Sequence, residues 1–151
     1  MKKIMVIGAI DAGKTSLVMR IHGIDGMATK TQTLEYKNQT IDTPGEYMEN
    51  PMMYKALMST AMEAKFVLFV QDSTVNKTCF PPGFARAFPC KSIGIITKID
   101  HPESDLENAK KLLERVKVKG PTFAVSSFTG ECIQELKEFM NLTKQLDCQQ
   151  S

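Results

Sequence analysis

The stretch Gly8-Ala9-Ile10-Asp11-Ala12-Gly13-Lys14-Thr15 decides the fold of this chain. It matches the pattern G-x-x-x-x-G-K-[ST] in full, and it lies between an apolar run at residues 3–7 and a helical pattern at residues 14–21. Its glycines let the backbone curl so that successive N–H groups converge on phosphate oxygens, and the following helix adds the positive end of its dipole. A chance match rarely has both a buried strand before it and a helix after it. The stretch therefore predicts a phosphate-binding loop.

The polar side chains of this loop have separate predicted roles. Lys14 is expected to place its ammonium on the β- and γ-phosphates of a nucleotide, where it also serves catalysis, and Thr15 to give its hydroxyl to magnesium. The residues predicted to contact the nucleotide here are Gly8, Ala9, Ile10, Asp11, Ala12, Gly13, Lys14, Thr15 and Ser16.

Apolar segments typical of strands alternate with helical patterns along the rest of the chain. Strands are predicted at residues 3–7, 34–36, 39–42, 66–70, 92–96 and 122–125. Helices are predicted at residues 14–21, 53–63 and 84–88, from Pro102 with Leu106, Ala109, Leu113 and Val116 facing inward, and from Thr129 with Ile133, Leu136, Phe139 and Met140. Strands that alternate with helices through short links favour a mostly parallel sheet. We therefore expect one three-layer α/β/α sandwich over residues 1–147, with a short tail at 148–151.

The composition excludes several other classes of protein. With 19 basic and 17 acidic residues, the net charge of +2 gives no basic footprint for nucleic acid. No apolar run approaches the ~20 residues that span a membrane. The four cysteines form no CxxC pair, which favours reduced thiols. A cytoplasmic protein without membrane insertion is expected.

A second motif, Asp42-Thr43-Pro44-Gly45-Glu46, follows the third predicted strand. D-x-x-G at this place predicts that Asp42 holds magnesium through water and that the N–H of Gly45 senses the γ-phosphate. In the preceding loop, Thr31 is the expected threonine ligand of magnesium in the triphosphate state, with Thr33 as the alternative. Glu46 is the candidate for orienting the attacking water.

A third motif, Thr97-Lys98-Ile99-Asp100, follows the strand at residues 92–96 and resembles the guanine-reading box [NT]-K-x-D. A carboxylate at Asp100 can accept hydrogen bonds from the N1–H and the amine of guanine, whereas adenine offers N1 as an acceptor. An unsatisfied buried carboxylate costs at least about 1–3 kcal/mol, which favours GTP over ATP. Ser126 and Ser127 end the last strand, where backbone contacts to the base are expected.

These four ordered motifs resemble those of Ras-like, translation-factor-related P-loop GTPases, and the loops around residues 30–32 and 41–47 are most similar to the EutP/PduV family. The resemblance implies a P-loop fold, binding of GTP or ATP with magnesium, and work in ethanolamine or propanediol utilisation at a bacterial microcompartment, whose shell or enzyme proteins would be partners.

Asp11 departs from the usual glycine or asparagine. We hypothesise that it coordinates a potassium ion, with a solvent-facing side chain as the alternative; equal turnover in potassium and sodium would exclude the ion.

Three functions remain open from the sequence. The first is a GTP hydrolase that regulates a partner. Its hydrolysis is expected to be slow, because a carboxylate at Glu46 cannot donate a hydrogen bond to the γ-phosphate. The second is a phosphotransferase that passes the phosphoryl group of ATP or GTP to a small acid such as acetate. The third is a scaffold that needs nucleotide only to fold.

Overall fold

The computed structural model describes residues 3–9, 12–14, 16–17, 35–37, 40–42, 50–126, 135–136 and 138–139. Within these ranges, the strands are β1 (Lys3–Gly8), β2 (Glu35–Lys37), β3 (Thr40–Asp42), β4 (Ala64–Asp72), β5 (Lys91–Thr97) and β6 (Thr122–Ala124). They form one sheet in the order β2-β3-β1-β4-β5-β6. The β2–β3 pair is antiparallel and the other neighbours are parallel. The predicted mostly parallel α/β sheet is confirmed.

Within the continuous described range 50–126, α1 (Tyr54–Ala61) precedes β4 and α2 (Leu106–Val116) precedes β6. The predicted start of the second of these at Pro102 is wrong. The backbone turns twice at residues 98–104, and Asp105 then caps α2 by accepting the N–H of Asn108 at 3.1 Å. Asp105 thus supplies the side-chain acceptor that is favoured at a helix start, and Pro102 lies in the turns before it.

The interior of α2 also differs from the prediction at two positions. Leu106, expected to face inward, is 36% exposed, whereas Leu112 is buried. The later start accounts for the first difference, because Leu106 lies in the exposed first turn. The predicted terminal helices are described only in part: Lys14, Ser16 and Leu17 are helical at one end of the chain, and Glu135, Leu136, Glu138 and Phe139 at the other.

The core lies in two layers, one on each face of the sheet. Because side chains alternate along a strand, odd-numbered β4 residues such as Val67 and Phe69 face one layer and even-numbered ones such as Leu68 face the other. The first layer includes Leu57 of α1 and Leu113 of α2. The second layer includes the helical residues Leu17 and Leu136. Helical residues on both faces make the domain three-layered.

Aromatic packing fills the connection from β4 to β5, where a 3-10 helix at Phe84–Ala87 covers the sheet. The ring of Phe69 lies edge-on to those of Phe80 and Phe88, with centroids 5.2 and 5.3 Å away. Tyr54 of α1 packs on Phe84 at 5.1 Å. Edge-to-face geometry adds to the stabilisation from area burial alone. This cluster supports β4 directly below the end at which the phosphate loop lies.

We expect Phe69→Ala to lower the free energy of unfolding by about 3–5 kcal/mol, because it opens a cavity at the centre of the aromatic cluster. Met62→Ala serves as the control, since Met62 is 68% exposed. Urea denaturation followed by circular dichroism measures both changes. Equal losses in the two variants would contradict the assignment of Phe69 to the core.

Candidate functional site

The phosphate loop begins where β1 ends, and two glycines allow its path. A Cβ on Gly8 would lie 2.9 Å from the carbonyl oxygen of Val70, which is closer than side chains tolerate. Gly13 has φ of 97°, a conformation that disfavours other residues. The N–H of Ala12 donates to the Ala9 carbonyl at 3.2 Å, and the N–H of Leu17 donates to the Gly13 carbonyl at 2.9 Å, as in a helix. This strand–turn–helix path is the one that the motif requires.

Lys14 lies within this loop and is almost fully buried, at 6% exposure. Its Nζ donates to the carbonyl oxygen of Ala9 at 2.9 Å. A buried ammonium costs free energy unless it is paired, so an anion brought to this loop would find a cation that is already partly desolvated. The position fits the phosphate role predicted for Lys14.

Thr97 joins the third motif to the phosphate loop. Its side chain is buried, and its Oγ1 donates to the carbonyl oxygen of Ala12 at 2.7 Å. A second, longer contact of 3.4 Å runs to the carbonyl of Gln71 on β4. Two motifs that are 85 residues apart in sequence are therefore held together by one hydroxyl.

Asp100 lies at the outer edge of the site, where its exposure leaves room for a ligand. Its Oδ1 accepts a hydrogen bond from the Oγ of the buried Ser126 at 2.7 Å. An ionised carboxylate has about four acceptor positions, so further donors can still bind. Ser126 was predicted to contact a base through its backbone; the structure places its hydroxyl on Asp100.

Lys98, the second residue of this motif, pairs with a carboxylate that the sequence analysis did not single out. Its Nζ lies 2.7 Å from Oδ2 of Asp72, the last residue of β4. The other carboxylate oxygen of Asp72 accepts from the backbone N–H of Thr74 at 2.8 Å and from its Oγ1 at 2.6 Å. Burial alone would raise the pKa of Asp72, but these hydrogen bonds and the Lys98 charge outweigh it and hold the pKa below its ordinary 3.8.

Ser73 completes the junction between the strand ends. Its Oγ donates to the carbonyl oxygen of Thr97 at 2.6 Å and accepts from the Oγ of Ser104 at 2.8 Å. Its own carbonyl accepts from the N–H of Asp105 at 2.7 Å. One buried serine thus connects β4, β5 and the start of α2.

A cavity of about 420 Å³ adjoins the phosphate loop on the side of β4. Gln71 lines it and is itself buried, with its Nε2 donating to the carbonyls of Asp72 and Lys77 at 3.1 and 3.2 Å. The full lining comprises Ala9, Ala12, Val70, Gln71, Asp72, Val75, Lys77, Thr78 and Cys79. The cavity therefore separates the loop that follows β4 from the phosphate loop.

Several predicted site residues lie outside the described ranges: Ile10, Asp11, Thr15, Thr31, Thr33, Gly45, Glu46 and Ser127. Asp42 is described for its backbone, which ends β3 opposite Val6 of β1. In the described part of the chain, no three His, Cys, Asp or Glu side chains are grouped to hold a metal ion. Nor does any helix there combine the length and apolar character that a membrane crossing requires.

The presence of Asp72 and Ser73 in the site could have been predicted from the sequence. Both follow a predicted strand, and the carboxyl ends of parallel strands meet at one edge of the sheet. The prediction ended that strand at residue 70, whereas β4 runs to Asp72. With the strand ended two residues early, neither Asp72 nor Ser73 is predicted to take part in the site.

The sheet order, the strand–turn–helix path at Gly8 and the convergence of motifs on the carboxyl ends of the strands define an α/β P-loop NTPase fold. A family model described as "Ethanolamine utilisation - propanediol utilisation" matches residues 1–142. The chain belongs to this PduV-EutP family.

Two relatives named EutP and PduV agree with this assignment, and a translation factor is a more distant relative. The chain is 33% identical over 148 residues to "Probable acetate kinase EutP" of Escherichia coli (strain K12), covering 96% of this chain and 93% of that protein. It is 41% identical over 100 residues to "Propanediol utilization protein PduV" of Citrobacter freundii, covering 66% of this chain and 67% of that protein. "Translation initiation factor IF-2" of Deinococcus deserti is 28% identical over 163 residues, which cover 95% of this chain and 27% of the factor.

The Asp72 carboxyl should make the stability of the fold depend on acid pH. Its folded pKa lies below the unfolded value, so its contribution is present above that value and is lost as pH falls through the folded pKa. We expect Asp72→Asn to cost roughly 1–2 kcal/mol at pH 7, because Lys98 is partly exposed, and to cost less below pH about 4. Unfolding by urea at several pH values measures this. A constant difference between the proteins at every pH would contradict it.

Proposed function

We propose that this protein binds GTP with magnesium and hydrolyses it slowly, as a small regulatory protein of ethanolamine or propanediol utilisation. The observation that carries the proposal is the 2.7 Å hydrogen bond from Thr97 to Ala12, which joins the phosphate loop to the guanine-type motif. A phosphate site and a base-reading carboxylate on one rigid frame can bind a whole nucleotide. The match to initiation factor IF-2 over 95% of the chain supports the resemblance to translation-factor-related GTPases.

The base preference in this proposal rests on Asp100. Ser126 occupies one acceptor position of its carboxylate, and the exposed remainder is available to the N1–H and amine of guanine. Adenine would present an acceptor to the same oxygens. The motif is therefore proposed to select GTP and GDP, with Lys98 lying along the base.

The chemistry in this proposal rests on Asp42 at the end of β3 and on residues outside the described ranges. Thr15, Thr31 and Asp42 would hold magnesium, and Gly45 would sense the γ-phosphate. Glu46 would position water poorly, because a carboxylate cannot donate a hydrogen bond to the phosphate, and the branched side chain of Ile10 would crowd the same phosphate. Hydrolysis is accordingly proposed to be slow. A monovalent cation at Asp11 would offset the carboxylate–phosphate repulsion.

Where the protein acts is also part of the proposal. The family description and the PduV relative name the utilisation of ethanolamine and propanediol. We propose a cytoplasmic protein that meets shell or enzyme proteins of a bacterial microcompartment.

A second candidate function is phosphoryl transfer from ATP or GTP to a small acid. It is favoured by the name "Probable acetate kinase" carried by the Escherichia coli relative. Against it, the described arginines Arg86 and Arg115 are exposed and do not line the cavity beside the phosphate loop. Acetate-dependent formation of acetyl phosphate, with no phosphate release in its absence, would place this function first.

The decisive measurement is a titration of GTP and ATP, each with magnesium, against the wild type and Asp100→Ala. We expect a strong preference for GTP in the wild type and a loss of roughly 10- to 150-fold in GTP affinity in the variant, because a hydrogen-bonded charge is removed. Glu103→Gln is the matched control, since Glu103 is an exposed carboxylate in the neighbouring turn.

Equal or tighter binding of ATP by the wild type would sink the guanine assignment and favour the kinase. A large rise in melting temperature with nucleotide, without any turnover, would instead leave a scaffold that needs nucleotide to fold.

A further inference from the structure

Asp72 belongs to none of the sequence motifs, yet its carboxylate pairs with Lys98 of the Thr97-Lys98-Ile99-Asp100 motif. Its side chain is 11% exposed, against 38% for its partner Lys98. The 2.7 Å separation between Nζ and Oδ2 is that of a charge-assisted hydrogen bond. The aspartate is the more buried member of this pair, and the lysine is the more exposed one whose ammonium it holds.

The carboxylate is fixed from two sides. Thr74 donates to Oδ1 through both its N–H and its hydroxyl, at 2.8 and 2.6 Å. The carbonyl of the same Asp72 accepts from Gln71 Nε2 at 3.1 Å, and Gln71 also holds the carbonyl of Lys77. Asp72 is therefore held in place independently of Lys98, and the end of β4 sets the direction of the ion pair.

The backbone of Lys98 is constrained as well. Its φ of 60° lies in the left-handed region, which a lysine adopts at a cost. The preceding Thr97 is held by Ala12, and the Lys98 carbonyl accepts from the N–H of His101 at 3.0 Å. With both its main chain and its ammonium held, the aliphatic stem of Lys98 has a defined course.

We infer that Asp72 is a positioning residue for nucleotide binding, which sets the course of the Lys98 stem on which the base lies. This inference rests on the proposed function, because it assigns Lys98 to the base. Asp72 itself does not touch the nucleotide. Because the effect of Asp72 is transmitted through Lys98, it concerns the contact with the flat face of the base. It does not depend on the substituents at the edge of the base.

A comparison of guanine with hypoxanthine nucleotides separates this role from that of Asp100. Inosine triphosphate lacks the amine from which Asp100 accepts. Asp100→Ala should therefore reduce GTP affinity by a larger factor than ITP affinity. Asp72→Asn should reduce both by the same factor, about tenfold, because it removes one charge-assisted contact to the lysine.

A double-mutant cycle tests whether Asp72 acts through Lys98. Dissociation constants of GTP and ITP are measured for the wild type, Asp72→Asn, Lys98→Gln and the double variant, with Glu103→Gln as the control expected to match the wild type. If Asp72 acts through Lys98, the double variant binds no more weakly than Lys98→Gln alone. Asp72→Glu, which keeps the charge, should recover part of the loss and serves if Asp72→Asn does not fold.

The outcomes distinguish this inference from the proposed function. A wild type without preference for GTP over ATP overturns the proposed function and this inference with it. A wild type that prefers GTP, together with an Asp72→Asn variant of unchanged affinity, overturns the inference alone. Losses that add in the double variant also overturn it, because they would mean that Asp72 supports the fold without acting through the lysine.

Discussion

The hydrogen bond from Thr97 to the carbonyl oxygen of Ala12 is the constraint on which the rest of the site depends. It is short, buried and made by a side chain at the end of β5 to a loop that begins at the end of β1. β4 lies between these strands, so the bond spans the carboxyl end of the sheet. Breaking it would leave a buried carbonyl without its partner, a loss that costs about 1–3 kcal/mol. The phosphate loop and the Thr97-Lys98-Ile99-Asp100 motif therefore form one unit.

The fold could be predicted from the sequence because the patterns that indicate its strands and helices are local. A buried run ending at Gly8, followed by Gly13 and a helical pattern, indicates strand, turn and helix within residues 3–21, and alternating patterns beyond them predict the parallel sheet. Contacts between distant segments could not be predicted in this way. The hydrogen bond from Ser126 to Asp100 depends on how β6 pairs with β5, and no local sequence pattern indicates that pairing.

The misplaced start of α2 has a similar cause. Proline at residue 102 fits a first helical turn by its own geometry, but the N–H of Asp105 is taken by the carbonyl of Ser73, at the end of another strand. That long-range bond fixes the residue as a cap, and its side chain then accepts from Asn108. Tertiary contact thus decides between two locally acceptable starts.

The Ser73 junction has a mechanical consequence. Because this one residue, next to the end of β4, bonds to the end of β5 and to the N–H of Asp105, the N-cap of α2, a shift of the helix start would strain its bonds to both strand ends. Leu113 and Val116 fasten the far end of the helix to the core. Both ends of the helix are therefore joined to the sheet, and a displacement of its exposed face would be transmitted to the ends of β4 and β5.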